Sequence, residues 1–344
     1  MRSNPRVLLT ILASSFVTSP VLVSAHHSMA EFDRSTVTEV EGEVVSISWR
    51  NPHILLDIAT TDATGQEMVW HLEGGAVSTQ RRRGLTSERV QVGDHVRAAG
   101  SPSTRRSGYI QVNHLMPEDG VELLVGGVRE PRWSDAHVGG GAWTVDAEKA
   151  AAAEGQGLFR VWSQRFGGAW FFRGTDAYSL TDSALAAVAV WDEFEDNPLL
   201  DCTAPGMPSL MSNPYPMEFI QRDASIELRF EEFDAVRTIH MEDASDPSDI
   251  PASDLGYSVG HWEGETLVVS TTRIDWPYFN RVGVPQSEAV AVVERFTPVE
   301  EDARMDYHLT VTDPATLVEP FDWDGYWDWR PGEEVHPYEC TLDP

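Results

Sequence analysis

The chain is 344 residues long and carries 55 Asp and Glu against 25 Lys and Arg, a formal net charge of −30. A surface that acidic repels nucleic acid and anionic lipid, which sets aside DNA, RNA and membrane-surface binding and leaves a solvated acidic coat. The length exceeds what one small core organises, so two domains are expected behind an N-terminal signal.

Residues 1–25 read as a signal peptide. Arg2 and Arg6 precede an apolar run from Val7 to Val23, and the small residues of Val23-Ser24-Ala25 place a cleavage site after Ala25. A membrane anchor is the rival reading, but the run is short and interrupted by Ser14, Ser15, Thr18, Ser19 and Pro20. Cleavage predicts a periplasmic or secreted protein that begins at His26 and has no membrane span. An α-amine and an imidazole on one residue chelate a metal ion, so the cut that exports the chain would also create a ligand.

Residues 26–128 form the first expected domain. Val37, Val40 and Val44 to Trp49, then His53 to Thr60, then Glu67 to Leu72 alternate as strands do, with Asp62-Ala63-Thr64-Gly65 as a turn. Gly74-Gly75 and a short helical stretch from Val77 to Arg83 follow, and then two strands, Asp94 to Ala99 and Tyr109 to Leu115. Three strands, a helix and two strands is the order of a five-stranded OB-like barrel. Arg81-Arg82-Arg83 reads as a solvated helix face, with an anion-binding patch as the alternative.

The segments AHHSMAEFD, GEVVSISWRNPHILLDI, VWHLEGG, RRRGL and VQVGDHV resemble a domain of unknown function found in exported bacterial proteins. The resemblance spans about His26 to Met116. It implies a small OB-like barrel and brings no activity with it.

Six of the histidines, His26, His27, His53, His71, His95 and His114, fall in this region. Neutral imidazole is the commonest metal ligand, and copper outbinds other divalent first-row metals at nitrogen sites. The candidate metal ligands are His26, through its amine and ring, assisted by His27 or by His53, which follows the Asn51-Pro52 turn. Met29, Met68, Trp49 and Trp70 nearby make a Cu(I) site conceivable. The plainer alternative is a frayed terminus followed by surface and core histidines.

Residues 129–157 read as a linker, with Gly126-Gly127 and Gly139-Gly140-Gly141 around Pro131 and Trp133 and an alanine-rich helical stretch from Asp146 to Glu154. Residues 158–344 form the second domain. Strands are expected at Leu158 to Trp162 and Ala169 to Arg173, and a helix capped by Thr181 is expected to run from Ala184 to Phe194. Then come Met217 to Gln221, Ser225 to Glu231, Ala235 to Met241, Gly256 to Trp262, Thr266 to Thr272, Glu288 to Phe296 and Arg304 to Thr312. Such a meander closes into an antiparallel barrel, lipocalin-like, or folds into a sandwich, giving a mainly β protein with one or two helices. Cys202 and Cys340, the two cysteines of the chain, are expected to pair across this domain in an oxidising compartment.

DCTAPGMP, NPYPMEFIQ, VRTIHM, LGYSVGHWEGETLVVSTT, SEAVAVVERF, VTDPATL and YEC are similar to segments of uncharacterised exported bacterial proteins. That likeness implies a mainly antiparallel fold and no chemistry. His240, His261 and His308, with Asp275, Tyr278, Glu288 and Glu294 near them, would suit acid-base work if they met inside a barrel. Trp262, Trp276, Trp323, Trp327 and Trp329 would line a cavity for a small apolar ligand or fill a core. Nucleophile elbows, phosphate-binding glycine loops and dinucleotide fingerprints are missing, which argues against a nucleotide cofactor. Three readings follow: an exported binding protein holding copper, an enzyme with a barrel cavity, and a structural envelope protein that contacts another protein.

Overall fold

The computed structural model describes residues 31–61, 65–140, 156–163, 177–192, 195–212, 215–241, 246–280, 282–299 and 303–340, with 148, 151 and 175 between them. The expected export signal, His26, His27, Asp62 to Thr64 of the expected Asp62–Gly65 turn, nearly all of the alanine-rich stretch and the expected strand at 169–173 lie outside these residues.

The first barrel is built from β1 (Thr38–Trp49), β2 (Ile54–Thr61), β3 (Glu67–Glu73), β4 (His95–Pro102) and β5 (Tyr109–Pro117), with α1 (Val77–Arg82) between β3 and β4. Antiparallel pairings run β3-β2-β1-β4-β5, and a parallel pairing of β3 with β5 closes the ring. This is the predicted five-stranded barrel, and its helix lies where the OB order requires. Alternation fills it: Val40, Val44, Leu56, Ile58, Leu72, Val96, Ala98, Ile110 and Val112 point inward and pack with Leu85, Val90 and Leu115. Two short strands, β6 (Glu122–Leu124) and β7 (His137–Gly139), extend the sheet beyond β5, the second from within the stretch read as a linker.

The second barrel is closed by nine strands: β8 (Val161–Ser163), β9 (Met217–Gln221), β10 (Ser225–Phe230), β11 (Val236–Met241), β12 (Tyr257–Glu263), β13 (Thr266–Thr272), β14 (Ala291–Val299), β15 (Arg304–Thr312) and β16 (Phe321–Trp329). A barrel therefore forms and a sandwich does not. The meander is antiparallel except where β11 and β12 pair in parallel. Its centre is packed with Trp162, Phe219, Phe296, Met305, Tyr307 and Trp327. In β16, Gly325 makes room for the Trp323 indole, since a Cβ there would lie 1.7 Å from the ring.

Thr181 caps α2 (Asp182–Val188) by accepting a hydrogen bond from the Ala184 amide. The helix is shorter than expected. Trp191 packs edge-on against Tyr278 and against Gly283, which carries the chain off the helical path. Cys202 and Cys340 form a disulfide with Cα atoms 6.0 Å apart. No described helix is long and apolar enough to cross a membrane.

Candidate functional site

His53 stands just ahead of β2, after a cis Asn51-Pro52 bond. Its Nδ1 lies 3.1 Å from the Gly74 carbonyl and 3.5 Å from Glu73 Oε1, and a quarter of the side chain is exposed. A carbonyl only accepts, so in the neutral ring the proton is on Nδ1. That tautomer is the one in which a histidine binds a metal through Nε2 while a carbonyl or carboxylate orients the ring.

The support continues through neighbouring residues. Glu73 is buried at the end of β3, and Tyr109 Oη donates to it at 2.9 Å. Burial raises the Glu73 carboxyl above the usual range, against the lowering influence of His53, Tyr109 and Arg106. The Arg106 guanidinium sits 3.3 Å above the Tyr109 ring and forks onto Glu31, with contacts of 2.6 and 2.7 Å. Glu31 also accepts from Ser103, and Phe32 stacks on Tyr109 at 6.1 Å. The first described residues, Glu31 and Phe32, are thus anchored to the group around His53. On the same outer surface His71 donates through Nδ1 to Asp57 at 2.7 Å and stacks on Tyr109.

Residues 15–111 match the model of a family of unknown function, DUF6152. No curated protein and no solved structure matches the chain. The matched stretch holds His53, Glu73, Arg106, Tyr109 and Glu31, and it ends inside β5.

The remaining first-domain histidines separate. His95 is exposed, 4.0 Å from Glu41, while His114 is largely buried with Nδ1 2.7 Å from Glu122. Among the described residues no three His, Cys, Asp or Glu side chains are grouped to hold a metal ion, so any such site needs a ligand from outside them.

Inside the second barrel, alternation works against the acid-base arrangement. Arg237, Ile239, Ser258, Tyr307 and Leu309 are buried on the inward set, and His240, His261 and His308 fall on the outward set of their strands. His261 pairs with Glu263 and His308 with Asp324, in both cases at exposed positions, and Asp275 and Glu288 are exposed as well. Trp276 and Trp327 fill core, and Trp262 is exposed. The space between Met211, Met217, Phe230 and Trp327 amounts to about 10 Å³, enough for a water and far below an organic ligand. What sequence reasoning missed is a buried polar belt: Arg237 bonds Glu294 at both ends of its fork, Ser258 at 2.9 Å and Thr271 at 2.6 Å, and Tyr307 donates to Glu294. Every one of these residues is within 1 % of full burial.

The arginine run corrects a second expectation. Arg82 is not a solvated residue: it meets Glu231, just after β10 of the second barrel, at 2.9 Å and Glu333, after β16, at 3.2 Å, with Glu231 fully buried. Arg83 donates to the Gly126 carbonyl. Asn51, from the motif that ends in His53, bonds Ser78 and donates to the Tyr338 carbonyl at 2.6 Å. The two barrels meet along this seam.

Proposed function

We propose that the protein is an exported binding protein whose first barrel holds copper through the His26 amine and ring, with His27 and His53 completing the donor set. The observation that supports this reading is the orientation of His53: its Nδ1–H points at the Gly74 carbonyl beside Glu73, the arrangement that orients a ring whose other nitrogen serves a metal. The anchoring of Glu31 and Phe32 beside the same cluster supports it, since the five peptide steps from His26 to Glu31 reach at most about 17 Å. Nitrogen donors and a deprotonable terminal amine favour Cu(II) over other divalent first-row ions. The acidic coat lowers the cost of bringing a cation to the surface.

Titration with Cu(II) and Cu(I) tests this on three proteins: the chain beginning at His26, the same chain with one added residue before His26, and His53→Ala. Both alterations are expected to weaken Cu(II) binding by at least about tenfold, as loss of a direct ligand exceeds loss of an orienting partner. Equal affinity in all three would sink the proposal.

A further inference from the structure

The last described residues after β16 form a strap laid between the two barrels. Glu333 reaches Arg82 of the first barrel and Ser163 of the second, and the His336 amide donates to Glu231. The Tyr338 amide donates to Asp234, and its ring packs on Phe233 and Tyr215. The Tyr338 carbonyl accepts from Asn51, and Cys340 pairs with Asn51 as a β-bridge. Both faces of the strap are in use.

The second barrel closes without it. β16 pairs with β15 on one side and with β8 on the other, and β8 passes to β9, so no strand pairing of the ring runs through residues 330–340. A single covalent bond, Cys202–Cys340, fastens the strap at its far end. Both cysteines are partly exposed, with exposed Asp201, Thr203 and Glu339 as neighbours in sequence, so a reagent can approach. The backbone around the strap is held away from its ordinary preferences: Cys202, Phe233, Asp234 and Glu339 all have φ between +52° and +55°. Non-glycine residues in that region persist only where surroundings impose them, and releasing the strap releases them.

We infer that the Cys202–Cys340 disulfide is a redox-sensitive latch: thiol–disulfide exchange with a dithiol frees the strap and undocks the first barrel while both barrels stay folded. A thiolate of the reagent attacks one cysteine sulfur, forming a mixed disulfide and expelling the other cysteine as thiolate. The reagent's second thiol then displaces the first cysteine, leaving two thiols on the chain and a disulfide on the reagent, a two-electron transfer. Release removes the Asn51–Tyr338 and Arg82–Glu333 contacts, while Arg82–Glu231 does not pass through the strap.

The test is amide hydrogen exchange on the full chain, oxidised and after treatment with dithiothreitol, together with Cys202→Ser/Cys340→Ser. Reduction is expected to speed exchange at Ser78 to Arg83 at least tenfold and to leave β14 and β15 unchanged. Asn51→Ala in the oxidised chain should loosen the same segment to a smaller extent, with the disulfide untouched. Three results overturn the inference: equal exchange at the seam in both redox states, equal acceleration in β14 and β15, or a folded chain whose disulfide resists the dithiol. A double-serine variant that fails to fold also counts against it, because the bond would then be holding the barrel and not the strap.

Discussion

Glu122 is buried and faces four donors: the backbone amides of Arg132, Trp133 and Ser134 at 2.7, 2.7 and 3.0 Å, and His114 Nδ1 at 2.7 Å. Burial alone would raise its carboxyl, but the three amides and the imidazole prevail and hold it below the usual range. A folded-state value below the unfolded one means stability that is full above the ordinary glutamate pKa and is lost as pH falls through the depressed value. Glu122→Gln keeps the shape and removes the charge, so it should cost about 2 kcal/mol at pH 7, the scale of a hydrogen bond to a charged group, and less at a pH low enough to protonate the carboxyl. Urea unfolding at the two pH values decides this, and a cost independent of pH would refute it. The same residue explains why the histidines of the first barrel are not equivalent. His114 is consumed in organising the loop from 126 to 136, whereas His53 is oriented from behind by Gly74 and Glu73. Counting histidines in the sequence cannot separate these roles, because the partners Glu122 and Gly74 lie 8 and 21 residues away.

Five consecutive strands of the second barrel are stitched at one level by Arg237 on β11, Ser258 on β12, Thr271 on β13, Glu294 on β14 and Tyr307 on β15. The belt also raises the Tyr307 hydroxyl well above its ordinary range, through burial and the facing Glu294 charge. Such a belt fixes register more than it adds net stability, since desolvating two charges offsets most of their attraction. Removing one partner is a different matter. Arg237→Met should cost about 3–5 kcal/mol by stranding Glu294, and Arg237→Met/Glu294→Leu should recover much of that. Denaturant midpoints of the three proteins check it, and a double variant no better than the single one would show that the belt stabilises outright. Strands of this barrel were legible where apolar residues alternate: Met217–Gln221, Thr266–Thr272 and Arg304–Thr312 fall at the expected bounds. β14 begins three residues late because Asp313 binds the Ser287 amide and hydroxyl and holds that segment in a turn. β16 was not legible as a strand, because Asp322, Asp324 and Asp328 break the apolar run, yet they are the outward set opposite Trp323 and Trp327.

The two barrels are joined by charge as well as by chain. The first barrel was readable from turns, glycines and the helix after β3, but its seam was not, since an arginine run looks the same whether it faces water or a buried glutamate on another domain. The disulfide was readable from compartment and count, and by closing 138 residues it contributes up to about 5 kcal/mol in the chain-entropy model. Arg82 decides how firmly the halves act together. Its side chain is 9 % exposed between two glutamates at 0 % and 4 %, and burial raises the Glu333 carboxyl despite Arg82, Ser163 and Arg330. Truncation leaves Glu231 buried with a backbone amide from His336 as its remaining bond among these contacts, so Arg82→Ala should cost about 3–5 kcal/mol at pH 7. Arg81, one residue earlier and half-exposed, should cost within about 0.5 kcal/mol when truncated. Protonation of the Glu333 carboxyl, already raised by burial, removes its share of the penalty, so the Arg82→Ala deficit should shrink as pH falls toward the ordinary glutamate range, and Glu231→Gln in the Arg82→Ala background should restore part of it at neutral pH. Calorimetry separates the scales: loss confined to the seam splits one unfolding transition into two, while loss inside either barrel lowers that barrel's transition alone. A pH-independent deficit equal in Arg81→Ala and Arg82→Ala would mean that helix packing, and not the buried ion pairs, holds the barrels together.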